Sequence, residues 1–323
     1  MLSQDTPAVW DWNLIPGITV DYNATALTCS TTRHTGDQSF VGGASDGSLG
    51  AIAMRFENPI NKDLNWRKTW FFLPDDVQHV MVARITSTSG APVFSVLDQR
   101  RHDDEVLVNG ESASSGNFST PQTLWHGGVG YLFNTSDPVS LSLSIGDRSG
   151  SWQAIGASSK PPETVDMFLA WLVHEDVSAD ISYTVFPATT TDTFASKAAT
   201  ASSSLKSIRN DGSISALLDS GNEVAMMVFW ETDGGKVTIP SPITGGAPIT
   251  VNTTGSSNVI LKLDTLTVTV ADPTQLLTTL TLTFTLGSGT PPSGWGSAQS
   301  KTITFSLPQG GVAGSSLTQT LPN

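Results

Sequence analysis

The stretch Lys68–Ile85, read KTWFFLPDDVQHVMVARI, decides the fold. Two aromatic and β-branched runs flank Pro74-Asp75-Asp76, and neither is long enough to make a good helix. A run such as Trp70-Phe71-Phe72-Leu73 is what a strand buried on both faces looks like. Proline followed by paired aspartates is turn chemistry, so the stretch predicts two central strands joined by a tight connection.

The rest of the chain agrees. No window of ten residues or more holds a 3.6-residue apolar period, charged residues make up only 14%, and glycine and proline are frequent. That combination predicts an all-β protein with many turns. Strands are expected at Ala51–Phe56, Val93–Asp98, Met167–His174, Val224–Trp230, Val259–Leu263, Leu266–Val270 and Thr302–Leu307. Strict alternation at Val139–Ile145, Ile181–Val185 and Leu280–Leu286 marks strands with one wet face. Glu105–Val108 followed by Asn109-Gly110 is the strongest local hairpin signal, and Asp233-Gly234-Gly235 is a second. His126-Gly127-Gly128, inside the β stretch Trp125–Phe133, predicts a bulge. Phe40–Gly47, rich in potential left-handed positions, predicts a tight loop passing close to other backbone. From Ala188 to Ser204 the chain turns to Thr, Ala and Ser, with a short helix expected around Thr193–Ala199. The organisation expected is therefore a large domain over 1–190, a linker over 191–204 and a smaller sandwich over 205–323.

A net charge of −13 with only 16 basic residues does not supply the clustered cations that phosphate recognition needs. Nucleic acid is not an expected partner. No apolar run approaches the length of a membrane span, and the first residues lack a signal-peptide pattern. Four N-x-S/T triplets, at Asn23, Asn117, Asn134 and Asn252, are compatible with secretion. The single cysteine, Cys29, forbids intrachain disulfides and reads as a small buried thiol, with His34 as its only sequence-local base. His34, His79, His102, His126 and His174 are scattered without metal-ligand spacing, and each reads as a structural or surface residue. No cofactor is expected. Asp-rich turns leave calcium open, although no ligand loop of recognisable spacing exists.

Residues that could meet a ligand are few. Arg100-Arg101-His102-Asp103-Asp104-Glu105 reads first as a solvated loop, and second as an arginine pair able to grip a carboxylate. Trp125 with His126 joins a stacking ring to a titratable one, and nine tryptophans against three tyrosines favour such a platform. Most of the tryptophans lie in strands and read as core.

Several segments, taken in order, resemble polysaccharide lyase family 8. Trp10-Asp11-Trp12-Asn13-Leu14-Ile15-Pro16-Gly17-Ile18-Thr19 is similar to the family's W-x-W-x-x-[LIV]-P-G-T-T segment. Phe40-Val41-Gly42-Gly43-Ala44-Ser45-Asp46-Gly47 resembles F-x-G-G-x-x-D-G, and Lys68-Thr69-Trp70-Phe71-Phe72 resembles K-[SA]-W-F-F. Leu97-Asp98-Gln99-Arg100 resembles T-x-[LIV]-[DE]-[NQ]-R. Trp125–Tyr131 resembles W-x-x-H-D-G-[VI]-G-Y, shortened and without the Asp. Trp152–Gly156 and Tyr183–Pro187 fall where the family has G-x-W-x-x-I-N and Y-x-Y-x-[LIV]-[LF]-P. The resemblance implies a large antiparallel β-supersandwich followed by a smaller β-sandwich. It also implies chemistry on uronate polysaccharides: neutralising the carboxylate, removing the C5 proton and eliminating the 4-linked sugar.

In that family the base, acid and neutralising amide sit on an N-terminal helical toroid, so no catalytic residue is assigned here. The resemblance places Gly42, Gly43, Ser45 and Asp46 near the family's cleft, with Arg100, Trp125 and His126 as further candidates for sugar contact. The chain is expected to be a lectin-like carbohydrate-binding protein, with possible homo-oligomerisation adding avidity. Two other readings are a lyase, as a fragment or with a partner chain, and a purely structural or interaction protein. The opening Met1-Leu2-Ser3-Gln4 favours a standalone protein over a fragment. The family resemblance points to an extracellular location, and nothing in the sequence argues against the cytoplasm.

Overall fold

The computed structural model describes residues 5–28, 31, 35–134 and 136–322. Cys29 and His34 lie outside them. The first part of the chain opens with a single helical turn, α1 (Thr6–Val9), and then builds fourteen strands. These are β1 (Thr19–Asp21), β2 (Val41–Ser45), β3 (Gly50–Glu57), β4 (Leu64–Leu73), β5 (Val77–Ser87), β6 (Val93–Arg101) and β7 (Leu107–Val108), then β8 (Glu111–Ser112), β9 (Gly116–Ser119), β10 (Thr123–His126), β11 (Val129–Phe133) and β12 (Ser140–Gly150). The short α2 (Trp152–Ile155), β13 (Glu163–Val173) and β14 (Ile181–Phe186) complete it. One longer helix, α3 (Thr191–Ser204), leads to β15 (Leu205–Asn210), β16 (Ile214–Asp219), β17 (Val224–Phe229), β18 (Gly235–Ile239) and β19 (Ile249–Thr253). The remainder holds β20 (Ser257–Lys262), β21 (Thr267–Ala271), β22 (Thr279–Leu286), β23 (Ser300–Ser306) and β24 (Leu317–Thr320).

These strands form four antiparallel sheets. Five strands run β1-β6-β13-β12-β9, and nine run β2-β3-β4-β5-β14-β11-β10-β7-β8. Six run β15-β16-β17-β20-β21-β24, and four run β18-β19-β22-β23. The fold is all-β, a large antiparallel supersandwich followed by a smaller sandwich.

Side-chain parity stacks the sheets into four layers. Because neighbours on a strand point to opposite faces, Val80 and Val82 of β5 join the core against the five-stranded sheet, beside Leu141, Leu143 and Phe168. Met81, with Phe71 and Leu73, faces the other way, onto Leu217, Met226, Val228 and Trp230 of the six-stranded sheet. In turn Ala225, Met227 and Phe229 fill the core against the four-stranded sheet with Leu282, Phe284 and Phe305. The run Trp66–Thr69 and the run Val80–Ala83 are buried on both faces. The expected double burial of Trp70–Leu73 is only half met. Phe71 and Leu73 are buried while Trp70 and Phe72 are half-buried, because β4 there nears its terminal turn at the rim of the stack.

The turns follow local chemistry. Asp75 and Asp76 both take φ of 59°, a left-handed pair that aspartate tolerates better than most residues. Asn109 and Gly110, at φ 54° and 80°, close the β7–β8 hairpin as expected. Two expectations need correction. Gly127 and Gly128 do not form a bulge: with φ 52° and 81° they are a two-residue turn, and His126 pairs with Val129 across it. Asp233-Gly234-Gly235 is not a hairpin turn but the crossover from β17 in one sheet to β18 in another. A Cβ on Gly234 would fall 2.1 Å from the Thr253 carbonyl oxygen, so the glycine answers a close approach.

The helix near residue 195 is twice the expected length. Thr190 Oγ1 accepts from the Thr193 N–H at 3.2 Å and caps it. Phe194, Ala198 and Ala201 are buried against Phe186, so the segment expected as a linker is packed onto the nine-stranded sheet. Gly130 makes room for it, since a Cβ there would lie 2.1 Å from the Phe194 ring.

Polar ties cross between the layers. Arg67, nearly buried, reaches the Glu231 carboxylate at 2.7 Å and also donates to the Gly212 carbonyl. Arg55 Nη2 donates to Trp230 O at 2.8 Å, and Asn258 Nδ2 donates to the carbonyls of Gly42 and Ala51 at 3.1 and 2.8 Å. Lys68 is fully buried, and its Nζ donates to Gly17 O at 2.8 Å and, at 3.4 Å, to Thr19 Oγ1. From there hydroxyls continue to Ser95 at 2.9 Å and to His174 Nε2 at 2.8 Å. Burial without a carboxylate partner holds the Lys68 ammonium down to about 7.

Two outcomes follow from this packing. The folded chain binds fewer protons than the unfolded one between the Lys68 value of about 7 and the free-lysine 10.5, so stability should rise with pH across that window. Lys68→Met should flatten the rise, a component on the order of a few kcal/mol. Denaturant midpoints taken at intervals across the window check this, and parallel profiles for parent and variant would refute it. Gly130→Ala should destabilise by about 1–3 kcal/mol through overpacking. The loss should shrink in a Phe194→Ala background, as a double-mutant cycle in urea would read.

Candidate functional site

The candidate residues occupy two separate places. Ser45 and Asp46 end β2, while Trp125 and His126 end β10, and five strands of the same sheet lie between β2 and β10. At the usual spacing that is about 29 Å.

Asp46 closes the β2–β3 turn. Its Oδ1 accepts the N–H groups of Ser48 and Leu49 at 2.9 and 2.8 Å and the Ser48 hydroxyl at 2.9 Å. Its Oδ2 meets Lys262 Nζ of β20 at 2.5 Å. Burial works to raise its pKa, but the Lys262 ammonium and the turn's donors prevail and hold the carboxyl down to about 2. Ser45 Oγ donates to Leu49 O at 2.9 Å, and its N–H donates to Ser316 Oγ at 2.9 Å. Gly42 and Gly43 lie in β2, and a Cβ on Gly42 would meet Pro273 at 3.2 Å. The glycine-rich segment is thus a strand and turn clamped to the smaller sandwich, with its polar groups already used.

Arg100, Trp125 and His126 do come together, with Asp98 and His102. Arg100 pairs with the buried Asp98 carboxylate at 2.6 Å and donates to Gly127 O at 3.1 Å. His126 is buried, its ring 4.1 Å from that of Phe168 and 5.6 Å from that of His102. Burial lowers its pKa, with the Arg100 charge in the same direction. His102 Nδ1 lies 3.0 Å from Asp166. Trp125 is half-buried against α3, and its Nε1 donates to Thr189 O at 3.3 Å. The cluster is a packed polar joint, and the face of Trp125 belongs to the core beneath α3.

Ser45 and its neighbours line a shallow open cleft with Phe72 and Ser316, and a more apolar site lies elsewhere. Between the β1 edge and the β3–β4 surface runs a groove of about 400 Å³, lined by Trp12, Ile18, Leu27, Phe56, Trp66 and Trp70 among others. Trp12 is 42% exposed and Leu27 52%. Phe56 and Trp66 stack at 4.8 Å and 16° to form one wall. Trp66 Nε1 is held by Thr19 O at 3.0 Å, but the indole N–H groups of Trp12 and Trp70 meet no acceptor among the described residues. Asp21, which also lines the groove, keeps a buried Oδ2 without a hydrogen-bond partner. Sequence reasoning missed this site. The signal was present in Trp10-Asp11-Trp12 and in Trp70, but residues so far apart in sequence meet only through sheet pairing.

Eliminating a sugar from a uronate polymer needs an accessible base and acid. Tyr131 and Tyr183 are buried, and burial raises both phenols. The Tyr22 hydroxyl donates to Asp11 at 2.8 Å. His79 and His174 are buried, and desolvation pushes each down to about 4. Among the described residues no group of three or more His, Cys, Asp or Glu side chains is placed to hold a metal ion. No helix among them is long and apolar enough to cross a membrane.

Comparison with known proteins gives this architecture a relationship. Residues 3–198 match the polysaccharide lyase family 8 super-sandwich domain, and residues 208–281 match the family's C-terminal beta-sandwich domain. Chondroitinase-AC of Pedobacter heparinus is 30% identical over 188 residues, covering 55% of this chain and 26% of that protein. A solved chondroitinase AC lyase, studied as enzyme–oligosaccharide complexes, superposes with a TM-score of 0.79 at 23% identity, over 97% of this chain and 44% of the other. Paenibacillus xanthan lyase superposes with a TM-score of 0.78 at 20% identity, over 99% of this chain and 32% of the other. The chain therefore spans about a quarter of the curated relative's length, and two sandwiches matching in order, the first over more than half of the chain, make it a member of polysaccharide lyase family 8.

Proposed function

We propose that this chain binds polysaccharide through the groove between β1 and β3–β4 and does not cleave the polymer by itself. The observation that carries the reading is the open, tryptophan-lined groove with two unspent indole donors. Aromatic faces stack on the apolar face of a sugar ring while N–H groups meet its hydroxyls. Membership of a polysaccharide lyase family supports a glycan as ligand. The burial of Tyr131, Tyr183, His79 and His174 supports the absence of chain cleavage by these residues. An extracellular setting and a homo-oligomer with several weak sites belong to the same proposal.

A second reading is favoured by one observation: the relatives are two to four times longer than the part matched here. On that reading the chain is the β portion of a lyase acting by β-elimination, with the proton-transferring groups supplied by other polypeptide.

Titration calorimetry with oligosaccharides tests the binding. Trp12→Ala should weaken it about tenfold, the scale of one lost aromatic contact, while leaving the thermal midpoint near that of the parent. Incubation with chondroitin or xanthan should produce no ultraviolet absorbance from an unsaturated uronate. Such absorbance from the chain alone would overturn the non-cleaving half of the proposal.

A further inference from the structure

A sugar unit of a polysaccharide is either charged or uncharged, and the charges around the groove bear on which it would take. Its described lining holds no lysine, arginine or histidine. Lys68 sits 5.6 Å from the Trp70 ring centroid but is fully buried, with its ammonium given to the Gly17 carbonyl. The lining holds one carboxylate, that of Asp21, and Asp63 adds a second negative charge near it. A ligand carboxylate placed here would face like charge in a largely apolar cleft, with no cation in the described lining to offset it.

The unspent hydrogen-bonding groups suit hydroxyls. Among the described residues the indole N–H groups of Trp12 and Trp70 have no hydrogen-bond partner, nor has Asp21 Oδ2, which lies buried at the groove wall. A neutral sugar hydroxyl can both accept from an indole and donate to a carboxylate, which a uronate oxygen cannot do. The volume, about 400 Å³, falls in the range of small-ligand clefts. We propose that the groove is a subsite for an uncharged sugar unit, a hexose or N-acetylhexosamine, and that Asp21 makes it reject a uronate. This rests on the polysaccharide-binding reading above.

The test is a calorimetric comparison of three tetrasaccharides on the full chain. Cellotetraose and tetra-N-acetylchitotetraose are the neutral probes, and a chondroitin tetrasaccharide is the acidic one. The expected result is that at least one neutral probe binds about tenfold more tightly than the acidic probe, a ratio of about 1.4 kcal/mol. Trp12→Ala should weaken the neutral probe, and Asp21→Asn should narrow the gap by improving the acidic one. Circular dichroism and the thermal midpoint show whether each variant is folded. If Asp21→Asn is misfolded, raising the acidity of the parent's buffer to protonate carboxylates should narrow the gap instead. Tighter binding of the acidic probe, still dependent on Trp12, would overturn the ligand class and leave the polysaccharide reading standing. Binding by none of the three would overturn both. Neutral binding indifferent to Trp12, or self-association of the chain that Trp12→Ala abolishes, would place the sugar elsewhere and overturn the subsite.

Discussion

The constraint on which the structure depends is that one nine-stranded sheet is covered on both faces. A sheet with one wet face needs alternation of apolar and polar residues; a sheet in the middle of a stack needs apolar or satisfied side chains at nearly every position. β4 and β5 obey the second rule. Phe71, Leu73 and Met81 hold the smaller sandwich while Val80 and Val82 hold the five-stranded sheet. Trp230, fully buried, is the counterpart on the other side, lying 4.8 Å from Phe40 with its Nε1 on Ser215. Two sandwiches joined through such an apolar seam behave as one body, unlike domains that meet over a polar surface.

Burial on both faces explains why charged groups inside the stack are so closely partnered. Arg67, Arg55 and Lys68, and the neutral Asn258 beside them, each donate to backbone carbonyls or a carboxylate across a layer boundary, with Arg55 Nε left unpartnered among the described residues. Such groups cost free energy to desolvate, and their hydrogen bonds offset that cost only in one geometry. They therefore fix how the layers register against one another, which an apolar seam alone specifies weakly. The Asp46–Lys262 pair and the Ser45–Ser316 bond extend the same registration to the rim.

The same logic separates structural polar clusters from an open site. Around His126 the neighbours pair mostly with one another, Asp98 with Arg100, His102 with Asp166 and Trp125 with the α3 approach, while His126 Nε2 is buried without a hydrogen-bond partner among the described residues. In the groove the N–H groups of Trp12 and Trp70 and one oxygen of Asp21 have no partner among the described residues, and there a large apolar surface stands open. Polar groups are left unpaired at an apolar surface where something from outside completes them.

Most of the architecture could be read from the residues in order. β-branched runs, alternation in Leu280–Leu286 and turn chemistry at Pro74-Asp75-Asp76 and Asn109-Gly110 act over a few residues, so the sequence by itself determined an all-β chain and its longer strands, but not β2, expected as a loop, nor β9, β15, β19 and β24. Three kinds of feature escaped it. A glycine pair at 127–128 reads alike as bulge or turn until its pairing partner is known. The crossover at Gly234 and the space left by Gly130 answer atoms 19 and 64 residues away. The groove is assembled from the opening segment and the β3–β4 hairpin, so no local window contains it. Local conformational preference and family motifs settled the longer strands and the lineage. Which tryptophans are core and which stay open was decided only by the tertiary stacking, because burial is a property of neighbours brought together in space rather than of the residue or its place in the chain.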